Sequence, residues 1–149
     1  MRASLCTAIT LAASALAAKE SVTVSKLSIH SVGSPVGTRI ESVSFVLNGD
    51  DAENLKCSAK NVAFPIPDKF YPCGDSDYSF TLWEGEKGAK FRVMVYHDVG
   101  DARADLRGGA DVRTKCDNSQ GSGPADEICT QVKPVTFTID GPVGISPGN

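Results

Sequence analysis

Residues 78–96 read YSFTLWEGEKGAKFRVMVY, and this stretch decides the fold class. Tyr78, Phe80 and Leu82 alternate with Ser79, Thr81 and Trp83, the two-residue period of a strand with one buried face. Glu84-Gly85-Glu86-Lys87-Gly88 then concentrates charge and glycine, as a hairpin turn does. Phe91, Val93 and Val95 answer on one face of the return segment, Ala89 to Tyr96, giving an antiparallel pair with matched apolar faces.

Toward the N-terminus the same period recurs. Val22, Val24, Leu27 and Ile29 predict a strand, and the extra residue at Ser25-Lys26 predicts a bulge. Ile40 to Leu47 predicts another, with Val43, Phe45 and Leu47 sharing a face. Asn48-Gly49-Asp50 is a turn signal, and Asn54 to Lys60 returns from it carrying Cys57. Phe64-Pro65-Ile66-Pro67 and Pro72 predict an ordered loop, because proline removes ladder donors and extends the residue before it.

Toward the C-terminus the pattern is looser. Ala102 to Val112 reads as a further extended segment, with Gly108-Gly109 a bulge or a break. Asn118 to Pro124 is a Ser/Gly loop, and Ala125 to Thr130 is expected to make one helical turn. Val132 to Ile139 predicts a last strand, placed at a sheet edge by Pro134. From about residue 141 a loose tail is expected. There is no long 3.6-residue period and no internal repeat. Many short strands between Gly and Pro turns predict an all-β domain, a single antiparallel β-barrel or sandwich.

Residues 1–18 read as a secretory signal peptide. Arg2 supplies the positive start, Leu5 to Leu16 the apolar run, and Ala15-Leu16-Ala17 the small-residue cleavage site. The run is too short to span a bilayer, which takes roughly 20 residues. The predicted mature domain, 19–149, is the size of one domain with its own core. Without Arg2 it carries 14 basic against 18 acidic residues. That acidic balance gives no electrostatic reason to expect nucleic acid or an anionic membrane as partner.

Cys6 leaves with the signal, and Cys57, Cys73, Cys116 and Cys129 remain. In an exported chain an even set reads as two disulfides. Three pairings exist. Cys57–Cys73 and Cys116–Cys129 are favoured because each encloses one turn-rich loop between predicted strands. A four-cysteine zinc site would want close Cys-x-x-Cys pairs, and these spacings are wide.

Motifs that could carry chemistry are weak. Gly74-Asp75-Ser76 is similar to the Gly-Asp-Ser of a lipase and esterase family, but a serine nucleophile needs a positioned base. The two histidines, His30 and His97, are not near the C-terminus, where that family keeps its base. Asp75 and Asp77, and Asp98, Asp101 and Asp105, lack the ligand spacing and closing Glu of a calcium loop. No metal site and no cofactor is expected. Trp83, on the face opposite Phe80, could anchor a partner or cover a second sheet face. Lys69-Phe70-Tyr71 and Lys90-Phe91-Arg92 join base to aromatic, but stacking on nucleic acid would want a positive domain.

Cys57-Ser58-Ala59, Pro67-Asp68-Lys69-Phe70-Tyr71-Pro72-Cys73-Gly74, Tyr78-Ser79-Phe80 and Pro124-Ala125-Asp126-Glu127-Ile128-Cys129 resemble the motifs of the major Alternaria allergen family, small secreted fungal proteins that include plant-defence elicitors. The resemblance runs from about Ile40 to Ile139. It implies a β-barrel with sequential disulfides and no catalysis. It also implies an extracellular effector or allergen that binds a plant defence protein or a small phenolic or apolar ligand. Phe70, Tyr71 and Trp83 are the residues offered for that contact. Some members carry a further N-terminal cysteine that links two chains. Nothing between Lys19 and Lys56 is Cys, so the covalent link has no candidate cysteine there, and a non-covalent homodimer is the form the resemblance leaves open. The competing expectations are an extracellular hydrolase using Asp75 and Asp77, and a structural cell-wall protein.

Overall fold

A computed structural model of the chain describes residues 19–100 and 105–140. The expected signal peptide and C-terminal tail lie outside the described residues, as do positions 102–104 of the segment before Val112. Ten strands are described: β1 (Lys19–Ser34), β2 (Gly37–Gly49), β3 (Ala52–Val62), β4 (Tyr71–Pro72), β5 (Tyr78–Glu84), β6 (Phe91–His97), β7 (Leu106–Val112), β8 (Thr114–Asp117), β9 (Asp126–Gln131) and β10 (Val135–Asp140). No helix occurs among the described residues.

Every pairing is antiparallel, and the order runs β3-β2-β1-β10-β7-β6-β5-β4, with β9 beside β1 and β8 beside β9. The sheet curls into a nearly closed barrel. The two ends of the order, β3 and the segment after β4, are joined by the Cys57–Cys73 disulfide. The second disulfide, Cys116–Cys129, crosses directly between β8 and β9. Both pairings are the ones favoured from the sequence.

The bulge expected at Ser25-Lys26 organises the longest strand. Lys26 adopts a left-handed φ of 55°, and the register with β2 slips between Ser25 and Ser28. The buried phase therefore shifts from Glu20, Val22 and Val24 to Leu27, Ile29 and Ser31. Before the bulge β1 pairs with β10, and beyond it with β9. The core lies inside the barrel, where Phe45 meets Phe80 edge-on at 4.9 Å and Tyr71 packs on Phe80 at 5.6 Å. Each large apolar side chain buried there contributes roughly 1.5–3 kcal/mol.

Three expectations are corrected, and one strand is new. Ala125 to Thr130 is not a helical turn: Asp126–Gln131 is strand β9. Lying between β1 and β8, β9 has ladder partners on both sides, which a single isolated turn would not provide. Pro134 is not in an edge strand. It precedes β10, which lies between β1 and β7, so its missing N–H interrupts no ladder. Gly108-Gly109 is neither bulge nor break, since β7 pairs with β6 in continuous register. The glycines serve close approach instead: a Cβ on Gly108 would fall 2.3 Å from the Thr138 carbonyl oxygen. Finally, β8 had no apolar alternation to announce it.

Candidate functional site

Of the three aromatic residues offered for binding, Tyr71 faces the core. It is buried against Phe80, and its hydroxyl accepts the Ala63 N–H at 2.8 Å. Phe70 points the other way, half-exposed, with its ring edge-on to Tyr96 at 4.7 Å. Trp83 is also on the outside, partly buried. Its indole N–H donates to Thr81 Oγ1 at 2.9 Å, and Thr81 is in turn 3.3 Å from the Tyr96 hydroxyl. This small layer explains why Thr81, in phase with the outer face, is fully buried.

The Gly74-Asp75-Ser76 stretch holds a turn. Ser76 Oγ donates to the Cys73 carbonyl at 2.6 Å and accepts the Tyr78 N–H at 3.2 Å. The hydroxyl is thus occupied by backbone. The two histidines pair with different acids: His30 Nε2 lies 2.6 Å from Asp126 Oδ1, and His97 Nδ1 lies 2.6 Å from Glu20 Oε2.

The Glu20–His97 pair belongs to a polar cluster set among apolar side chains. Glu20, Tyr78 and His97 are all buried. Glu20 Oε1 accepts the Tyr78 hydroxyl and, at 2.8 Å, the Asp50 N–H. The Tyr78 oxygen accepts the Asp51 N–H at 3.1 Å. The Tyr78 and His97 rings stack at 3.9 Å, only 14° from parallel. Burial pushes the Tyr78 hydroxyl far above its ordinary range, and its hydrogen bond to Glu20 adds to that. Gly49 is required beside the cluster, because a Cβ there would fall 2.3 Å from Glu20 Oε1. No motif marks this cluster, yet its signal is in the sequence: Glu20 is in phase with Val22 and Val24, and His97 with Phe91, Val93 and Val95.

Two openings flank these features. One is a small acidic cleft of about 260 Å³ lined by Asp51, Asp77, His97, Asp98, Val99 and Gly100. The other is a groove of about 490 Å³ between the β1–β2 hairpin end and the proline-rich loop, where Val32, Val36, Phe64 and Pro65 give it an apolar wall. Val36 at its tip is 97% exposed, and Ile66, the next residue along the loop, is 72% exposed. Among the described residues Cys116, Glu127 and Cys129 also converge, but both sulfurs are joined to each other.

A family model described as Alternaria alternata allergen 1 matches residues 24–129. The chain is 38% identical over 101 residues to "Effector protein PevD1" of Verticillium dahliae, an alignment covering 68% of this chain. It spans 61% of the length of that relative. Two crystal structures of the Alternaria alternata allergen Alt a 1 share its fold at 20% identity. One has a TM-score of 0.60 and covers 83% of this chain and 96% of its own. The other has a TM-score of 0.61 and covers 84% and 92%.

Proposed function

Because the chain belongs to the Alternaria alternata allergen 1 family, we propose that it is an exported, effector-like protein that acts by binding a host extracellular protein rather than by catalysis. The apolar groove between the β1–β2 hairpin end and the proline-rich loop is the surface it presents. One observation carries this reading: Val36 of the groove's apolar wall stands almost wholly in solvent, and Ile66, next to Pro65 of that wall, is largely exposed. Exposed apolar side chains grouped at a concave rim are the usual mark of an interaction site. The relative named as an effector supports the role, and the two disulfides suit an oxidising extracellular setting. The occupied Ser76 hydroxyl supports a non-catalytic role.

Capture from plant extracellular fluid tests the proposal. The unaltered protein is expected to retain a partner, and Val36→Asp with Ile66→Asp to lose it while melting unchanged. Full retention by that double variant removes the groove from the reading. Failure of the unaltered protein to retain any partner, across several hosts, removes host binding. A groove of this volume also fits a small apolar ligand. Displacement of a fluorescent apolar probe by a phenolic compound, lost in Val36→Asp, would favour that second reading.

A further inference from the structure

We propose that the outer face of β3, β2, β1, β9 and β8 is a binding surface for an acidic polysaccharide, an extended sugar chain bearing carboxylates, held by Lys26, Lys56, Lys60, Arg113 and Lys115.

The chain as a whole carries more acidic than basic residues, but its charges are not evenly spread. These five cations are exposed, and none of them forms an ion pair among the described residues, whereas Arg39, Lys90 and Arg92 do. The acids of the same five strands are mostly engaged. Glu20 is buried inside the barrel, and Glu41, Asp126 and Glu127 are held by Arg39, His30 and Lys90. That leaves Glu53 near the start of β3 and Asp117 at the end of β8. An anion approaching this face meets a local excess of positive charge that the net charge of the chain conceals.

Strand register sets these cations around a row of hydroxyls. Ser58 faces Ser44, Ser44 faces Ser28, Ser28 faces Thr130, and Thr130 faces Lys115. The row lies on the outside of the barrel, because the residues that alternate with it, among them Cys57, Phe45, Ile29 and Cys129, are buried. It crosses five strands, about 19 Å at the usual strand spacing. Lys56 and Lys60 flank its Ser58 end, Lys26 stands in the bulge beside Ser28, and Arg113 precedes Lys115 by two residues. Serine and threonine hydroxyls donate and accept, as sugar hydroxyls do. Cations spread along such a row suit carboxylates repeated along a chain rather than one small anion. The row has no aromatic ring on which a base could stack, and no apolar side chain to enter a bilayer. The groove at Val36 uses none of these residues, so loss of one contact leaves the other intact. Only the setting, outside the cell, rests on the proposed export.

The test is equilibrium binding of the purified protein to polygalacturonate at rising salt, with dextran as a neutral sugar polymer and single-stranded DNA and phosphatidylserine vesicles as other polyanions. Saturable binding to polygalacturonate is expected, weakening as salt screens the charges, tighter than binding to DNA or vesicles, and absent for dextran. The exposed Lys56→Ser/Lys60→Ser/Lys115→Ser variant should melt unchanged and bind about tenfold more weakly. Lys19→Ser/Lys69→Ser/Lys87→Ser removes the same charge from exposed positions elsewhere and should weaken binding far less. Absence of binding at low salt overturns the proposal. So does an equal loss in the two triple variants, binding of dextran as tight as that of polygalacturonate, or binding of DNA or vesicles as tight.

Discussion

Glu20 concentrates more structure than any other single residue. Its carboxylate joins the start of β1, the turn after β2, β5 through Tyr78 and β6 through His97. Removing one partner of such a buried pair leaves the other charge or donor unanswered. Glu20→Ala is therefore expected to lower unfolding free energy by about 3–5 kcal/mol, read from urea denaturation. Asp126 gives a pH signature. The Ser122 N–H at 3.0 Å and His30 at 2.6 Å hold its carboxyl down to about 2. Unfolded, it would titrate near 3.9. A depressed folded value means that Asp126 stabilises the fold above pH 4, and that this is lost as pH falls toward 2. Melting curves of Asp126→Asn and the unaltered protein should thus differ at pH 6 and converge near pH 2.

At the scale of elements, β7 is decided by contact rather than by propensity. Two glycines inside a strand weaken it locally, yet β7 keeps its register with β6, because β10 passes against it. Gly108→Ala would drive a methyl group into the Thr138 carbonyl, and backbone cannot yield as a side-chain tip can. Its expected cost is about 1–3 kcal/mol, measured against Gly88→Ala. Gly88 has open space but a φ of 86°, so it tests backbone strain alone. The β1 bulge was legible because an odd spacing between Val24 and Leu27 admits no other strand reading. The strand at Asp126–Gln131 was not legible, because Ile128 and Cys129 are adjacent between polar residues and show no two-residue alternation, a pattern that fits a short turn equally well. Only flanking by β1 and β8 makes it a strand.

Across the whole molecule, the two disulfides differ in what they close. Their loops are similar, with sequence separations of 16 and 13, so each should contribute about 3 kcal/mol by restricting the unfolded chain. Cys116–Cys129 reinforces strands already paired, whereas Cys57–Cys73 spans a barrel seam that has no ladder. Cys57→Ala/Cys73→Ala is therefore expected to melt lower than Cys116→Ala/Cys129→Ala. It should also speed amide exchange along β3 and β5, as hydrogen-exchange mass spectrometry can show. Equal melting and exchange in the two variants would mean that the seam is held by packing alone.

The sequence by itself determined the all-β class, the four cysteines and a preference for their sequential pairing, and the apolar faces of β1, β2, β5 and β6. These are local properties: a two-residue period, turn chemistry and loop length are written in consecutive residues. The tertiary structure alone decided which strands neighbour one another, and with them the inward position of Tyr71 and the roofing of Thr81 by Trp83. It also brought Glu20, Asp51, Tyr78 and His97 together from four segments. Such a cluster depends on barrel curvature and strand order, which are set by pairings between residues far apart in the chain, such as Lys19 with Asp140, and no local pattern encodes those.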